Sequence, residues 1–318
     1  MGALDGLRIL DLTQWEAGTS CTQLLAFLGA DVVKVEQVGV GDPGRHAQQA
    51  DGDALYFLAF NANKRSLALN LKSEAGRKIF LDLLPRFDVV AENYSLGVME
   101  GFGLGYDVLK EACPGIIYAT VKGFGTYGPY SSYLAFDPVA QAMGGAFSVN
   151  GQPGGPPLRP GLTFGDTGSG LSLAIGILAA YVEKTRTGVG QMVEVSMQEA
   201  MLNFPRTVFS DREDRPGGVL PRRGNRNVAP TDLYPCAPGG PNDYVHLTVA
   251  STRMWDTFTV AIGQPELATD ERFATVDARR QNGDALSEIV AAWTSKRTKH
   301  ELLKHFGEIG VRDAVAAS

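Results

Sequence analysis

Between residues 8 and 121, short apolar runs alternate with helical patterns at a spacing that suits a parallel sheet flanked by helices. The runs 8–12, 31–36, 66–71, 88–92 and 116–121 are rich in Val, Ile and Leu, as strands buried on both faces are. Helical stretches lie between them, with 21–28 closed by Gly29 and 73–84 closed by Pro85. The expected fold is α/β: an open, doubly wound, Rossmann-like parallel sheet that binds ligands at the carboxyl ends of its strands. Those ends deliver residues 13–18, 37–42, Lys72, 93–95 and 122–125 to one edge.

Further along, a Gly/Pro-rich loop at 150–161 precedes an apolar helix expected to start at Leu171, followed by a strand at 191–196 and a helix at 197–209. Residues 210–230 carry five arginines, three prolines and three glycines with little apolar content, which reads as an interdomain linker. Beyond it, 231–236 and 244–249 flank Pro238-Gly239-Gly240-Pro241 as the arms of a hairpin, and helices are expected at 252–262, 284–294 and 299–309. The organisation that follows is a Rossmann-like domain at 1–210, a linker at 211–230 and a smaller α/β domain at 231–318.

Composition narrows the function. A chain of 318 residues, 44% hydrophobic, has core for more than one domain. Its net charge of −6 argues against nucleic acid or an anionic membrane as the main partner. The longest strongly apolar stretch, 171–182, is well short of the ~20 residues of a membrane span. Residues 1–8 lack the basic start and apolar run of a secretory signal. Cys21, Cys113 and Cys236 are odd in number and dispersed, which fits neither a disulfide framework nor a metal site; a reducing cytoplasm is the expected setting.

The first strand-to-helix turn, 13–20, has one glycine where the dinucleotide fingerprint needs three, so Glu36 reads as a strand-end surface charge and not as a ribose ligand. Asp166 lies among small residues, Gly165-Asp166-Thr167-Gly168-Ser169-Gly170, against an apolar helix. Helix capping is the simplest local role for it, and equally for Asp137, which is followed by Pro138 at the start of another helix. Two loops at the sheet edge nonetheless deliver two carboxylates, each with helix amides behind it that would stabilise an oxyanion. The basic groups Lys64-Arg65 and Arg222, Arg223 and Arg226 are candidates for pairing with phosphates.

Leu4-Asp5-Gly6-Leu7-Arg8, Leu28-Gly29-Ala30-Asp31-Val32, Asn63-Lys64-Arg65-Ser66, Phe136-Asp137-Pro138, Gly165-Asp166 and Thr187-Gly188-Val189-Gly190-Gln191 together resemble the class III CoA-transferases of the carnitine/bile-acid type. The likeness runs over essentially the whole chain; 61–70 and 197–203 look nearest to the formyl-CoA:oxalate branch. The resemblance implies that CoA and acyl-CoA are substrates, with no tightly bound cofactor and a small carboxylic acid as acceptor. It makes Asp166 the nucleophile and matches Glu16 and Asp137 to assisting positions. It lays Ala17, Gln37, Leu69, Asn70, Leu71, Lys72, Asn93, Tyr94, Ser95, Tyr133, Leu134, Ala135 and Phe136 along the CoA. With a reference pKa of ~3.9, Asp166 is expected to be ionised at neutrality without a general base.

There are departures. Glu16 stands for a neutral amide of the oxalate enzymes, Gln37 and Gly101 replace basic CoA contacts, and 221–230 occupies the place of their glycine-rich loop. The 2-methylacyl-CoA racemases, which share the fold, place a histidine where this chain has Phe136, and phenylalanine cannot exchange a proton. The resemblance also implies an interlocked homodimer. Family chains continue past position 318, so the chain reads as truncated, with loss of turnover and retention of CoA binding as the alternative outcome.

Overall fold

Six strands line up in the order β3-β2-β1-β4-β5-β6, each pairing parallel. They are β1 Arg8–Asp11, β2 Asp31–Glu36, β3 Arg65–Ala68, β4 Val89–Glu92, β5 Ile117–Lys122 and β6 Met192–Ser196. The architecture comes from a computed structural model that describes residues 2–49, 52–210, 220–309 and 312–315. The strand order reverses between β1 and β4, which opens a crevice at their carboxyl ends.

Period-two alternation sends the strand side chains to two cores, and this is why the runs are apolar without a break. Ile9, Val32, Val89, Ala91, Ile117 and Ala119 pack with Cys21, Leu25, Leu173 and Ile177. Leu10, Val33, Val35, Val90 and Tyr118 pack with Phe80, Leu84, Met99 and Leu109. The first of these layers is built from two helices, Ala17–Phe27 and Phe164–Thr187. They touch closely at Gly170, where a β-carbon would lie 2.7 Å from the Ala17 carbonyl oxygen.

That contact explains two corrections. The first helix starts at Ala17, not Cys21, and the long helix starts at Phe164, not Leu171. Small residues that read as loop are helical because they let the two backbones approach. The expected helix at 197–209 is two, Met197–Leu202 and Arg206–Ser210, interrupted at Pro205, which has no N–H to continue the ladder.

Two charge readings also change. Lys64 is not a phosphate ligand. Its Nζ lies 3.0 Å from Asp11 Oδ2, with both side chains buried, and it also donates to Thr19 O and Asn61 Oδ1. Burial pushes the Asp11 carboxyl up, but Lys64 and then Lys34 outweigh it and hold it below the usual range. Lys64→Ala leaves that carboxylate with one cation fewer and is expected to cost about 3–5 kcal/mol, read as a lower urea midpoint. Arg65 pairs on the surface with Asp31 at 2.7 Å.

Glu36 is not a surface charge. It is 6% exposed and accepts from Arg45 Nε and Nη2, both at 2.7 Å, from Ser66 Oγ at 2.7 Å and from the Asp42 amide at 2.9 Å. Burial opposes its ionisation, but the Arg45, Ser66 and Asp42 hydrogen bonds win and lower its pKa to about 2.

The chain divides into two compact units, Met1–Asn150 with Pro157–Leu220, and Gly151–Pro156 with Pro221–Ser318. Part of the expected linker, 211–219, lies outside the described residues. In the second unit, β7 Asp232–Pro235 and β8 Tyr244–Thr248 form the expected antiparallel hairpin. A third strand, β9 Arg312–Val315, pairs antiparallel with β8 where the sequence reads as an Ala-rich tail. Helices Thr252–Ala261, Gly283–Thr294 and Lys299–Ile309 supply its core, in which Trp255, Phe258 and Phe306 stack with centroids 6.1 and 5.8 Å apart. Arg226 belongs to this unit and is bound to Asp232 and Asp284, and Arg222 donates to the Gly155 carbonyl.

Candidate active site

The crevice between β1 and β4 is tied by one side chain. Asn93 accepts from the Gln14 amide at 2.7 Å and donates to the Gln14 carbonyl at 2.8 Å, which ties the two loops to each other. The next residue, Trp15, has φ +59°, a left-handed conformation unfavourable for a bulky side chain. Trp15 packs edge-on to Tyr56, with centroids 6.4 Å apart, and Glu16 follows at the start of the helix Ala17–Phe27.

Glu16 is buried, and its Oε1 accepts from the hydroxyls of Thr163, at 2.5 Å, and Thr167, at 2.8 Å. Tyr56 lies near it; burial first, then the charges of Glu16 and Asp166, push the phenol up. These bonds carry Glu16 across to the head of the helix Phe164–Thr187, in whose first turn Asp166 lies.

Asp137 reaches the same helix head from the helix Asp137–Met143. It does not cap its own helix. Its Oδ1 accepts from the Gly165 amide at 2.9 Å and, more weakly, from the Asp166 amide at 3.4 Å. Its Oδ2 accepts from Gln141 Nε2 at 2.7 Å and Arg159 Nη2 at 3.0 Å. Gly165 permits this approach, since a β-carbon there would stand 2.9 Å from the Asp137 carbonyl oxygen. Two expectations are therefore corrected. Asp166 is not the cap of its helix, because Asp137 caps it from outside. The Gly165 and Asp166 amides, expected to stabilise an oxyanion, are already engaged by Asp137.

Asp137 is thus bonded at both oxygens and Glu16 at Oε1, whereas among the described residues no hydrogen bond or ion pair reaches the Asp166 carboxylate. Desolvation, then Glu16 and then Asp137, raise its pKa to about 7, against a lowering by Arg159. The expectation of full ionisation at neutrality, taken from the reference pKa, fails for that reason.

The other expected site residues fall into separate places. Gln37, Leu69, Asn70, Leu71, Lys72 and Tyr94 line one groove together with Gln14 and Phe102. Asn93 spends its amide on Gln14, and Ser95 lines a different groove with Glu92, Thr120 and Lys122. Tyr133 joins Phe124 and Tyr130 in an aromatic cluster, with Leu134 and Phe136 exposed beside it and Ala135 packed on Gly123. Ala17 is buried on its helix. Tyr56, Gln141, Arg159, Thr163 and Thr167 were not singled out from the sequence. Gln141 alone carried a local signal, its i,i+4 spacing from Asp137. Among the described residues, no cluster of His, Cys, Asp and Glu is arranged to hold a metal. None of the described helices is long and apolar enough to cross a membrane.

Comparison with known proteins agrees with this fold. Residues 4–317 match the model of CoA-transferase family III. The formyl-CoA:oxalate CoA-transferase of Streptomyces coelicolor is 43% identical over 317 residues, covering 95% of this chain and 77% of the relative. The enzyme of that name from Shigella sonnei is 36% identical, covering 97% and 79%. A crystal structure of a CAIB/BAIF family protein from Brucella suis superposes with a TM-score of 0.88 at 32% identity, over 100% of this chain and 84% of that one. With a sheet of this order, a helix-head aspartate and likeness along nearly its whole length, the chain belongs to CoA-transferase family III.

Proposed function

We propose that the protein moves CoA from an acyl-CoA thioester to a small carboxylic acid through covalent intermediates on Asp166. One observation carries the reading: a partly buried carboxylate without a bonding partner among the described residues lies near two carboxylates that are hydrogen-bonded in place. An acid held in this way keeps its lone pairs available for attack, and desolvation makes the ionised form more reactive.

In the first step an Asp166 oxygen adds to the thioester carbonyl. The tetrahedral adduct collapses with cleavage of the C–S bond, giving a mixed anhydride and CoA thiolate. The thiolate attacks the aspartyl carbon of the anhydride and expels the donor acid, leaving an aspartyl-CoA thioester. The acceptor carboxylate attacks that thioester, releasing thiolate and forming a second anhydride. Thiolate then attacks the acceptor's acyl carbon, which yields the new acyl-CoA and restores the Asp166 carboxylate. Each step exchanges one acyl–heteroatom bond for another, so no oxidant or metal is consumed.

The groove of Gln37, Leu69–Lys72 and Tyr94 is the proposed seat of the CoA nucleotide. The relatives named formyl-CoA:oxalate CoA-transferase make formyl-CoA the first donor to try and oxalate the first acceptor. The reading includes a homodimer in the cytoplasm. An apolar stripe on the long helix, Leu171, Ile175 and Val182, is 46%, 69% and 59% exposed and supplies surface that a second copy would cover.

The test is trapping. Incubation with formyl-CoA should place an adduct on the peptide containing Asp166, which hydroxylamine converts to a hydroxamate, and adding an acceptor acid should discharge it as a new acyl-CoA. Transfer without any adduct, or an adduct on another residue, refutes the mechanism.

A further inference from the structure

Acceptance presents an electrostatic problem. Glu16 and Asp137 gather at the head of the helix Phe164–Thr187 beside Asp166, which is neutral while it is a thioester, and the acceptor brings further negative charge. Like charges ~4 Å apart repel by about 4 kcal/mol at an effective dielectric of 20. A cation beside the approach is needed, and most nearby cations are committed. Lys34 is buried on Asp42 and the Thr13 carbonyl, Lys64 on Asp11, and Lys122 on Glu92.

Arg159 differs from these. Its Nη2 holds Asp137 Oδ2 at 3.0 Å, and the other oxygen of Asp137 holds the Gly165 amide, so the guanidinium stands one carboxylate away from the nucleophile's turn. That bond uses one of the five N–H donors of an arginine. The Arg159 side chain is 48% exposed, whereas that of Asp137 is 5% exposed. Arg159 is also the cation whose charge is felt at Asp166.

Resting on the reading that Asp166 carries CoA, we propose that Arg159 binds the non-reacting carboxylate of a short dicarboxylic acceptor, leaving the second carboxylate to attack the aspartyl thioester. The planar guanidinium fork matches a carboxylate edge, and a carboxylate held by it is a poorer nucleophile than one left unpaired. The arrangement therefore favours acids with two carboxylates over acids with one, and Arg159 is a specificity residue.

The experiment compares oxalate, succinate and acetate as acceptors with formyl-CoA as donor, in wild type, Arg159→Gln and Arg159→Lys, alongside thermal melts. Wild type should prefer the dicarboxylates. Arg159→Gln should raise their KM about ten- to hundredfold, the range expected for one charge-assisted pair. The acetate KM should change at least tenfold less than the dicarboxylate KM, and Arg159→Lys should fall between. A wild-type preference for acetate overturns the proposal. So does an Arg159→Gln effect that is equal for all three acids, whether or not the melt also falls. Should Arg159→Gln fail to fold, unchanged dicarboxylate selectivity in a folded Arg159→Lys overturns it as well. If wild type forms no Asp166 adduct and transfers to no acid, it is the parent reading that fails.

Discussion

Asp166→Ala should lose CoA transfer by a factor on the order of 10³ or more, with no loss of fold. Both halves of that expectation come from the same geometry. A bond at the Asp166 carboxyl group is made or broken in every step of the proposed sequence, so no residual route through it survives. It also makes no structural bond among the described residues, because Asp137 performs the capping of the long helix. Asp166→Asn should be nearly as inactive, since a neutral amide does not attack a thioester. Steady-state transfer rates and circular dichroism together check this. Retention of more than a few per cent of activity in either variant would remove Asp166 from its role.

The second large effect is in pH. With its pKa raised to about 7, chiefly by desolvation and then by Glu16 and Asp137, Asp166 is carboxylate above that pH and acid below it. Transfer at low substrate should therefore rise about tenfold per unit as pH increases toward 7 and level off above it. Stability runs the other way. The folded pKa lies above the unfolded one, so the penalty is absent below about pH 4, grows as pH rises toward 7 and is then constant. Asp166→Asn removes the penalty. It should be more stable than wild type at pH 8, by on the order of 2–4 kcal/mol at most, and equal to it near pH 4. Denaturant midpoints at the two pH values test the sign. A variant less stable than wild type at pH 8 would mean that the carboxylate is held by bonds and not left desolvated.

The strands were legible because burial on both faces writes itself as unbroken Val/Ile/Leu runs, and β2 was expected at its observed limits. The helix starts were not. Ala17-Gly18-Thr19-Ser20 and Gly165-Asp166-Thr167-Gly168-Ser169-Gly170 have the composition of loops, yet they are helical and their helices meet where Gly170 lies on Ala17 and Ser20, a tertiary effect that no window of sequence contains. β9 is four residues long and exists through its pairing with β8. The three carboxylates of the site were legible, and the structure brings them to one helix head. Their roles were not, because a carboxylate's role depends on what it accepts from. Thr163 and Thr167 lie far from Glu16 in the chain, and Arg159 sits in a Gly/Pro-rich stretch with no periodicity to mark its direction.

Glu36 occupies the strand end from which dinucleotide-binding sheets hold a ribose diol, and the sheet order here is theirs. Its oxygens are nonetheless taken by Arg45, Ser66 and the Asp42 amide, and a pKa of about 2 keeps it anionic and occupied throughout the useful pH range. Anyone redesigning this scaffold for a nicotinamide cofactor would gain little from grafting a glycine-rich turn after β1. Freeing the acid would require breaking its bonds to Arg45, Ser66 and the Asp42 amide, and the last belongs to the loop whose Asp42 pairs with buried Lys34. An internal ion pair thus occupies the acid that a ribose diol would need.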